Sequence, residues 1–185
     1  MQSFFAAGNS VHANIRIVKG QRFHIPLYAN NIRQMAYFEI GIYYPKSADN
    51  VGTLWRTAYQ LGASGVFTIG KRYKNQASDP FKVPRHIPLR NYPDFDAFLE
   101  NRPLGSLLIA VEENGTLLSA FDHPPQAVYL LGAEDFGLPK SVLDKCQATV
   151  SLEAMIKPSF NVAVAGSIVM YDRVFGNKVR YPEKT

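Results

Sequence analysis

A chain of 185 residues with 46% hydrophobic side chains fits one domain with a sizeable core, and its composition is not that of a disordered protein. One cysteine, Cys146, excludes an internal disulfide and a paired-thiol zinc site, and with four scattered histidines no metal is expected. The net charge of +5 is mild, and its placement carries more information than its size.

No run approaches the ~18 consecutive apolar residues of a membrane span. The first eight residues, Met1 to Gly8, lack the basic start and apolar stretch of a secretory leader. A cytoplasmic protein with no membrane partner is expected. Residues 1–34 carry weak patterns: Asn14–Lys19 alternates loosely, and Gln21–Tyr28 reads as a short strand or an extended arm. They are set apart as an N-terminal arm of unassigned role, with residues 35–185 as the domain.

Tyr37–Tyr44 is apolar and aromatic, as a central strand would be. Pro45 to Asp49 breaks it, Asp49 or Asn50 caps a helix over Val51–Leu61, and Gly62 stops that helix. Val66–Ile69 is the next buried strand, and strand–helix–strand with this spacing makes a parallel βαβ unit. Between Lys71 and Arg90 stand six Lys/Arg against one acid, Asp79. A basic cluster of this kind is the usual footprint of phosphate-backbone binding, with a solvated loop as the plain alternative. Lys71, Arg72, Lys74, Lys82 and Arg85 are the candidate phosphate contacts. Tyr73, Phe81 and Tyr92, interleaved with them, either stack bases or pack the loop onto the domain.

Asp94 is the expected N-cap of a helix ending at Glu100. Ser106–Val111 is a third buried strand, and Thr116–Phe121 is a short piece with a strand-like pattern. Val128–Leu131 and Thr149–Leu152 are the fourth and fifth strands, with a helix over Pro139–Lys145 between them. The last helix spans residues 159–175 with Ser159 as a plausible cap. Ala163, Ala165, Gly166 and Ser167 would let neighbours approach it closely, so burial on more than one side is expected. Alternating strands and helices with apolar strands predict an α/β fold, a parallel sheet covered on both faces. In such sheets ligands bind outside the carboxyl ends of the strands, here the loops after Tyr44, Val111, Leu131 and Leu152. Neither a GxxxxGK[ST] loop nor a GxGxxG fingerprint is present, and a glutamate between Gly132 and Gly137 would repel a pyrophosphate.

Three stretches add specificity. Asn50-Val-Gly-Thr-Leu-Trp-Arg-Thr-Ala58, Leu131-Gly-Ala-Glu-Asp-Phe-Gly-Leu138 and Ser159-Phe-Asn-Val-Ala-Val-Ala-Gly-Ser-Ile-Val-Met-Tyr-Asp172 resemble, in order, the three motifs of the SpoU/TrmH family of the SPOUT superfamily. Phe160 stands where the family usually has Leu, and Leu152–Pro158 lacks its common Ile-Pro-Met. The resemblance implies a parallel sheet with helices on both faces and a C-terminal trefoil knot. It also implies S-adenosylmethionine as cofactor, a homodimer, and methyl transfer to a ribose 2′-hydroxyl of tRNA or rRNA.

Carried onto this chain, the family's cofactor loops fall at Gly132, Leu152 and Phe160, with Val111 at the end of the third strand. Arg56 falls at the reacting ribose. A guanidinium stays charged in a protein, so gripping a phosphate and stabilising a developing alkoxide suits it better than proton abstraction. Its structural alternative is an ion pair with Glu134. Glu134 would orient Arg56, and Asn50 and Asn161 would position sugar and backbone. Ser159 contacts substrate or caps the helix. His86 and His123 have the chemistry of a general base but lie outside the motifs, and read as surface or RNA-contacting. Trp55, Leu61, Val164 and Met170 are candidates for a surface shared between subunits. The alternatives are a base-methylating SPOUT enzyme and a catalytically silent RNA-binding protein of the same fold. The motif arginine and the Ser-x-Asn pair favour ribose.

Overall fold

The computed structural model describes residues 17–18, 21–22, 37–70, 83–157 and 159–176. The chain divides into two units, Met1–Ala36 and Tyr37–Thr185. In the first, β1 (Ile17–Val18) and β2 (Gln21–Arg22) form a two-residue antiparallel ladder. The second unit holds the site.

Its centre is a six-stranded, all-parallel sheet in the order β5-β4-β3-β7-β6-β8. The strands are β3 (Tyr37–Tyr43), β4 (Gly65–Ile69), β5 (Leu89–Tyr92), β6 (Leu107–Leu117), β7 (Gln126–Leu131) and β8 (Ala148–Ser151). Parallel strands covered on both faces read as continuous apolar runs, and β4 and β7 do so. Every residue of β4, and every residue of β7 after Gln126, is buried.

Among the described residues, four helices cover the two faces: α1 (Ala48–Gln60), α2 (Phe95–Asn101), α3 (Lys140–Leu143) and α4 (Val162–Phe175). On one face Leu54 and Trp55 of α1 and Val169 and Met170 of α4 join Ile40, Ile42 and Tyr129. On the other, Phe98 of α2 and Val142 of α3 pack with Phe67, Leu108 and Leu130. Phe67 and Phe98 stack at 4.8 Å. After β8 at one edge, α4 crosses back over the sheet centre, and Gly166 permits it. A Cβ there would lie 2.5 Å from Leu54 Cδ1 and 3.0 Å from Leu131 Cδ1. The expected close approach is met at Gly166, but the helix is not buried on more than one side, since Val164, Ile168, Tyr171 and Phe175 are exposed.

Several expectations need adjusting. Leu89–Tyr92 falls in the stretch read as a basic loop, yet it forms the edge strand β5 beside β4. An edge strand buries little, and here Arg90 and Asn91 are exposed, so no apolar run announces it. Arg90 forms an ion pair with Glu39, a buried carboxylate in an otherwise apolar and aromatic strand. Strand β6 continues to Leu117 instead of stopping at Val111. A register shift between Val111 and Thr116 lets its second half stay paired with β8, and a 3-10 turn at Leu118–Ala120 follows.

The caps also move. Ser47 caps α1, its Oγ accepting from the N–H groups of Asp49 (3.1 Å) and Asn50 (3.4 Å), in place of Asp49 or Asn50. Asn161, rather than Ser159, caps α4 and accepts from Ala163 (2.9 Å) and Val164 (3.3 Å). Asp94 caps α2 as expected.

Candidate active site

The irregular middle of β6, where its register shifts, the carboxyl ends of β7 and β8 and the start of α4 line a cavity of about 600 Å³. Val111, Gly132, Leu152 and Phe160 all line it, as do Glu134, Ser159 and Asn161. Gly132 and Leu152 follow the ends of β7 and β8, where a parallel sheet offers backbone groups free of the ladder, Phe160 precedes α4, and Val111, expected at a strand end, instead stands in β6 at its register shift.

Beside the cavity three distant stretches are tied together by one chain of hydrogen bonds. The Nδ2 of Asn161 donates to the Oδ1 of Asn50 (3.1 Å), and the Nδ2 of Asn50 donates to Oε1 of Glu134 (2.9 Å). The other oxygen of Glu134 accepts the backbone N–H of Lys46 (3.1 Å). Because Asn161 spends its Oδ1 on capping α4, both amides use donor and acceptor at once, which leaves each a single orientation. Burial works against ionisation of Glu134, but hydrogen bonds from Asn50 and from the backbone N–H groups of Glu134, Lys46 and Ser47 outweigh it and hold the carboxyl below its ordinary value.

Lys46 adds a second tie. Its ammonium pairs with Asp135 and lies 5.9 Å from the centre of the Phe136 ring. Sequence reasoning missed Lys46 because a lone lysine after a strand has no distinguishing signal. Arg56 is exposed on α1, six residues beyond Asn50 and so about 9 Å further along the axis. Ser159 and Phe160 are exposed at the cavity. Arg85 is exposed at the end of the 3-10 turn Val83–Arg85. Lys71, Arg72, Lys74 and Lys82 lie outside the described residues, as do Tyr73 and Phe81.

Glu112 is the other residue that sequence reasoning overlooked. It directly follows Val111 in β6, and its Oε1 accepts the backbone N–H of Leu138 at 2.5 Å. Burial raises its pKa, partly offset by the N–H groups of Leu138 and Glu113. Gly132 and Gly137 make room for it: a Cβ on Gly132 would sit 2.5 Å from Glu112 Oε1 and equally close to the Gly137 backbone. Gly137 has φ of +63°, which favours glycine on its own account. The hairpin-like turn between them is closed by Gly137 N–H to Ala133 O at 2.9 Å.

The donor set decides what the cavity can hold. Glu112, Glu113, Glu134 and Asp135 line it, and among the described residues that line it there is no lysine, arginine or histidine. A phosphate-bearing nucleotide would meet repulsion there, whereas a cationic nucleoside derivative would not. S-adenosylmethionine, a nucleoside with a sulfonium and an ammonium group and no phosphate, fits this lining.

Two expectations are overturned. His123 is not a surface histidine: it is fully buried, 2.6 Å from the Tyr129 hydroxyl and 3.0 Å from Asp172 Oδ2. Arg173, also buried, donates to the same hydroxyl (3.0 Å) and to the carbonyl oxygens of Pro124 and Pro125 (2.7 and 2.9 Å). The group is a polar knot in the core. His86, by contrast, is exposed and stacks on Tyr59 at 4.6 Å. Of the four candidates for a subunit surface, Trp55 and Met170 are buried in the chain's own core and Leu61 packs against it. Val164 alone is exposed, and it starts a stripe of Val164, Ile168, Tyr171 and Phe175 at helical spacing along α4. Apolar on every side, this helix gives no periodic sign of which face turns inward.

Comparison with known proteins adds to this geometry. The sequence profile of the SpoU rRNA Methylase family matches residues 37–171. A protein of Archaeoglobus fulgidus described as an uncharacterized tRNA/rRNA methyltransferase is 28% identical over 128 residues, covering 66% of this chain and 57% of that protein. The 23S rRNA (adenosine(1067)-2'-O)-methyltransferase of Streptomyces azureus is 24% identical over 140 residues, covering 71% and 52%. This chain thus spans a little over half the length of these curated relatives. Among solved structures, one concerning the 2-OH methylation of C/U34 on tRNA superposes with a TM-score of 0.63 at 28% identity, covering 74% of this chain and 88% of that one. The SpoU methyltransferase AviRb of Streptomyces viridochromogenes, in complex with AdoMet, shares the fold with a TM-score of 0.64 at 24% identity, covering 76% and 60%.

Proposed function

This chain belongs to the SpoU rRNA Methylase family, and from that premise we propose that it is an S-adenosylmethionine-dependent RNA methyltransferase acting on a ribose 2′-hydroxyl of tRNA or rRNA, as a cytoplasmic homodimer. The observation that carries this reading is the hydrogen-bond chain Asn161–Asn50–Glu134, which joins the three motif stretches at the lip of a cavity whose described lining holds four carboxylates and no basic residue. Two relatives bear on the choice of ribose over base. The Streptomyces azureus protein is a 2'-O-methyltransferase, and the tRNA structure concerns 2-OH methylation.

When bound, S-adenosylmethionine supplies an electrophilic methyl group on a cationic sulfonium. The backbone at Val111, Gly132 and Leu152, with Phe160, holds the adenosine. Asn50 and Asn161, each locked by two partners, present fixed polar edges to the sugar and its backbone. Glu134 holds Asn50 in place, and Ser159 contacts the substrate. Arg56 grips the adjacent phosphate and stabilises charge as it develops on the 2′-oxygen, whose proton passes to water. Its planar fork suits a phosphate better than a point charge would. Displacement at a methyl group asks chiefly for alignment of donor and acceptor, which rigid side chains supply. Lys71, Arg72, Lys74, Lys82 and Arg85 follow the phosphates further from the reacting nucleotide. Residues 35–185 are the catalytic domain in this reading, and residues 1–34 are an arm with no assigned part in it.

The dimer rests on the α4 stripe. Val164, Ile168, Tyr171 and Phe175 are between 36% and 61% exposed and border a groove of about 530 Å³ shared with Thr53 and Leu118. Contiguous exposed apolar surface of this kind marks an interface, and a second copy presents the same stripe to it.

The test is calorimetric titration with S-adenosylmethionine, followed by transfer of a tritiated methyl group to total RNA and alkaline hydrolysis. A 2′-O-methyl group blocks cleavage at its own nucleotide, so label in alkali-resistant dinucleotides supports the ribose assignment. Label in mononucleotides would support a base methylase instead. Binding without transfer to any RNA would point to a silent member of the fold.

A further inference from the structure

Resting on the cofactor assignment above, we propose that Glu112 is a specificity-determining residue whose carboxylate selects the sulfonium form of the cofactor over the uncharged thioether left after transfer. Four carboxylates line the cavity, and three are accounted for otherwise. Glu134 is committed to Asn50 and the Lys46 N–H, Asp135 is paired with the Lys46 ammonium, and Glu113 is exposed to solvent.

Glu112 differs from them in place and in company. It is half-buried in the cavity wall and backs onto the two glycines of the Gly132–Gly137 turn. A Cβ on Gly137 would lie 2.8 Å from its Oε1 and 3.1 Å from its Oε2, so the turn leaves the carboxylate room that any side chain would take. Among the described residues its partners are backbone N–H groups of Leu138 and Glu113, and none of them sets a cation against its charge. Fixed dipoles hold the group in position but leave its negative charge unbalanced. A positive ligand entering the cavity balances it, and a neutral one of the same shape does not.

Sulfonium and thioether differ by that one charge and one methyl group, so a fixed anion nearby separates them where shape hardly can. The consequence is preferential release of the spent cofactor. An opposite charge within about 6 Å at a half-exposed site is worth roughly tenfold in affinity.

The experiment compares wild type and Glu112→Gln by calorimetry with three ligands: S-adenosylmethionine, S-adenosylhomocysteine, and sinefungin, which carries an ammonium where the sulfonium stands. Gln keeps an oxygen for the Leu138 N–H while removing the charge, and a melting curve verifies that the variant is folded. S-adenosylmethionine and sinefungin are expected to weaken about tenfold in the variant, and S-adenosylhomocysteine by less than twofold. Equal weakening of all three, or no change in any, overturns the proposal while leaving the cofactor assignment intact. Should Glu112→Gln fail to fold, Glu112→Asp takes its place, and it must keep the wild-type order of preference. Wild type binding none of the three would overturn the cofactor assignment itself, and this proposal with it.

Discussion

Replacing Gly132 by alanine is the smallest change that tests both the architecture of the cavity and its use. The added methyl would lie 2.5 Å from Glu112 Oε1, 2.5 Å from the carbonyl carbon of Gly137 and 2.6 Å from its Cα. Glu112 could yield only by giving up its bond to the Leu138 N–H. The Gly137 backbone cannot, because it is bonded to Ala133 in both directions (2.9 and 3.3 Å) and is held at φ +63°. The turn must therefore open. Overpacking of this kind costs about 1–3 kcal/mol. For a domain of this size that lowers Tm by about 3–10 °C, readable by calorimetry or dye-monitored melting. Opening the turn also displaces one wall of the cavity, so S-adenosylmethionine should bind at least about tenfold more weakly. The control is Gly62→Ala, where φ is +76° but nothing lies within 4 Å of the new methyl. It should cost about 1–2 kcal/mol from the backbone alone and leave cofactor affinity unchanged. Gly132→Ala with wild-type Tm and wild-type affinity would refute both the packing of the turn and the placement of the cofactor against it.

Arg56→Ala should lower methyl transfer by about a hundredfold or more with cofactor affinity within a few-fold, and Arg56→Lys should fail as well. Activity above about a tenth of wild type would remove Arg56 from the reaction. Asn50→Ala takes away the side-chain bond that helps hold the Glu134 carboxyl below its ordinary pKa. A lowered carboxyl stabilises the fold at neutral pH and loses that contribution as pH falls through its folded value. The variant should therefore be less stable at pH 7 while the difference from wild type narrows in acid, and a gap that stays constant with pH would contradict it. Ile168→Glu should turn a dimer of 20.7 kDa chains into monomers by light scattering. A wild-type monomer at micromolar concentration would dispose of the interface altogether.

Much of this fold could be read along the chain because its signals are local. Apolar runs marked Val66–Ile69 and Val128–Leu131 as buried parallel strands, and Asp94 announced its helix, since strand burial and capping depend on near neighbours. The three motif stretches were visible for the same reason: each is a contiguous run of residues. The edge strand β5 was hidden because an edge needs pairing on one side only and little apolar surface.

What the tertiary structure alone decided was partnership. Asn161 lies 111 residues from Asn50, and Asn50 lies 84 from Glu134, so no local pattern could say that their amides form one line of hydrogen bonds. Nor could it say that Ser47 takes over the capping of α1 and thereby leaves the Asn50 side chain for that line. Which face of α4 points outward, that His123 is sealed against Tyr129, and that Glu112 fills the space two glycines leave open depend equally on distant elements. A sequence states what each segment prefers. A side chain with several possible partners takes its role only when packing chooses among them, because the cost of leaving a polar group unsatisfied is settled by whatever the fold brings within about 3 Å.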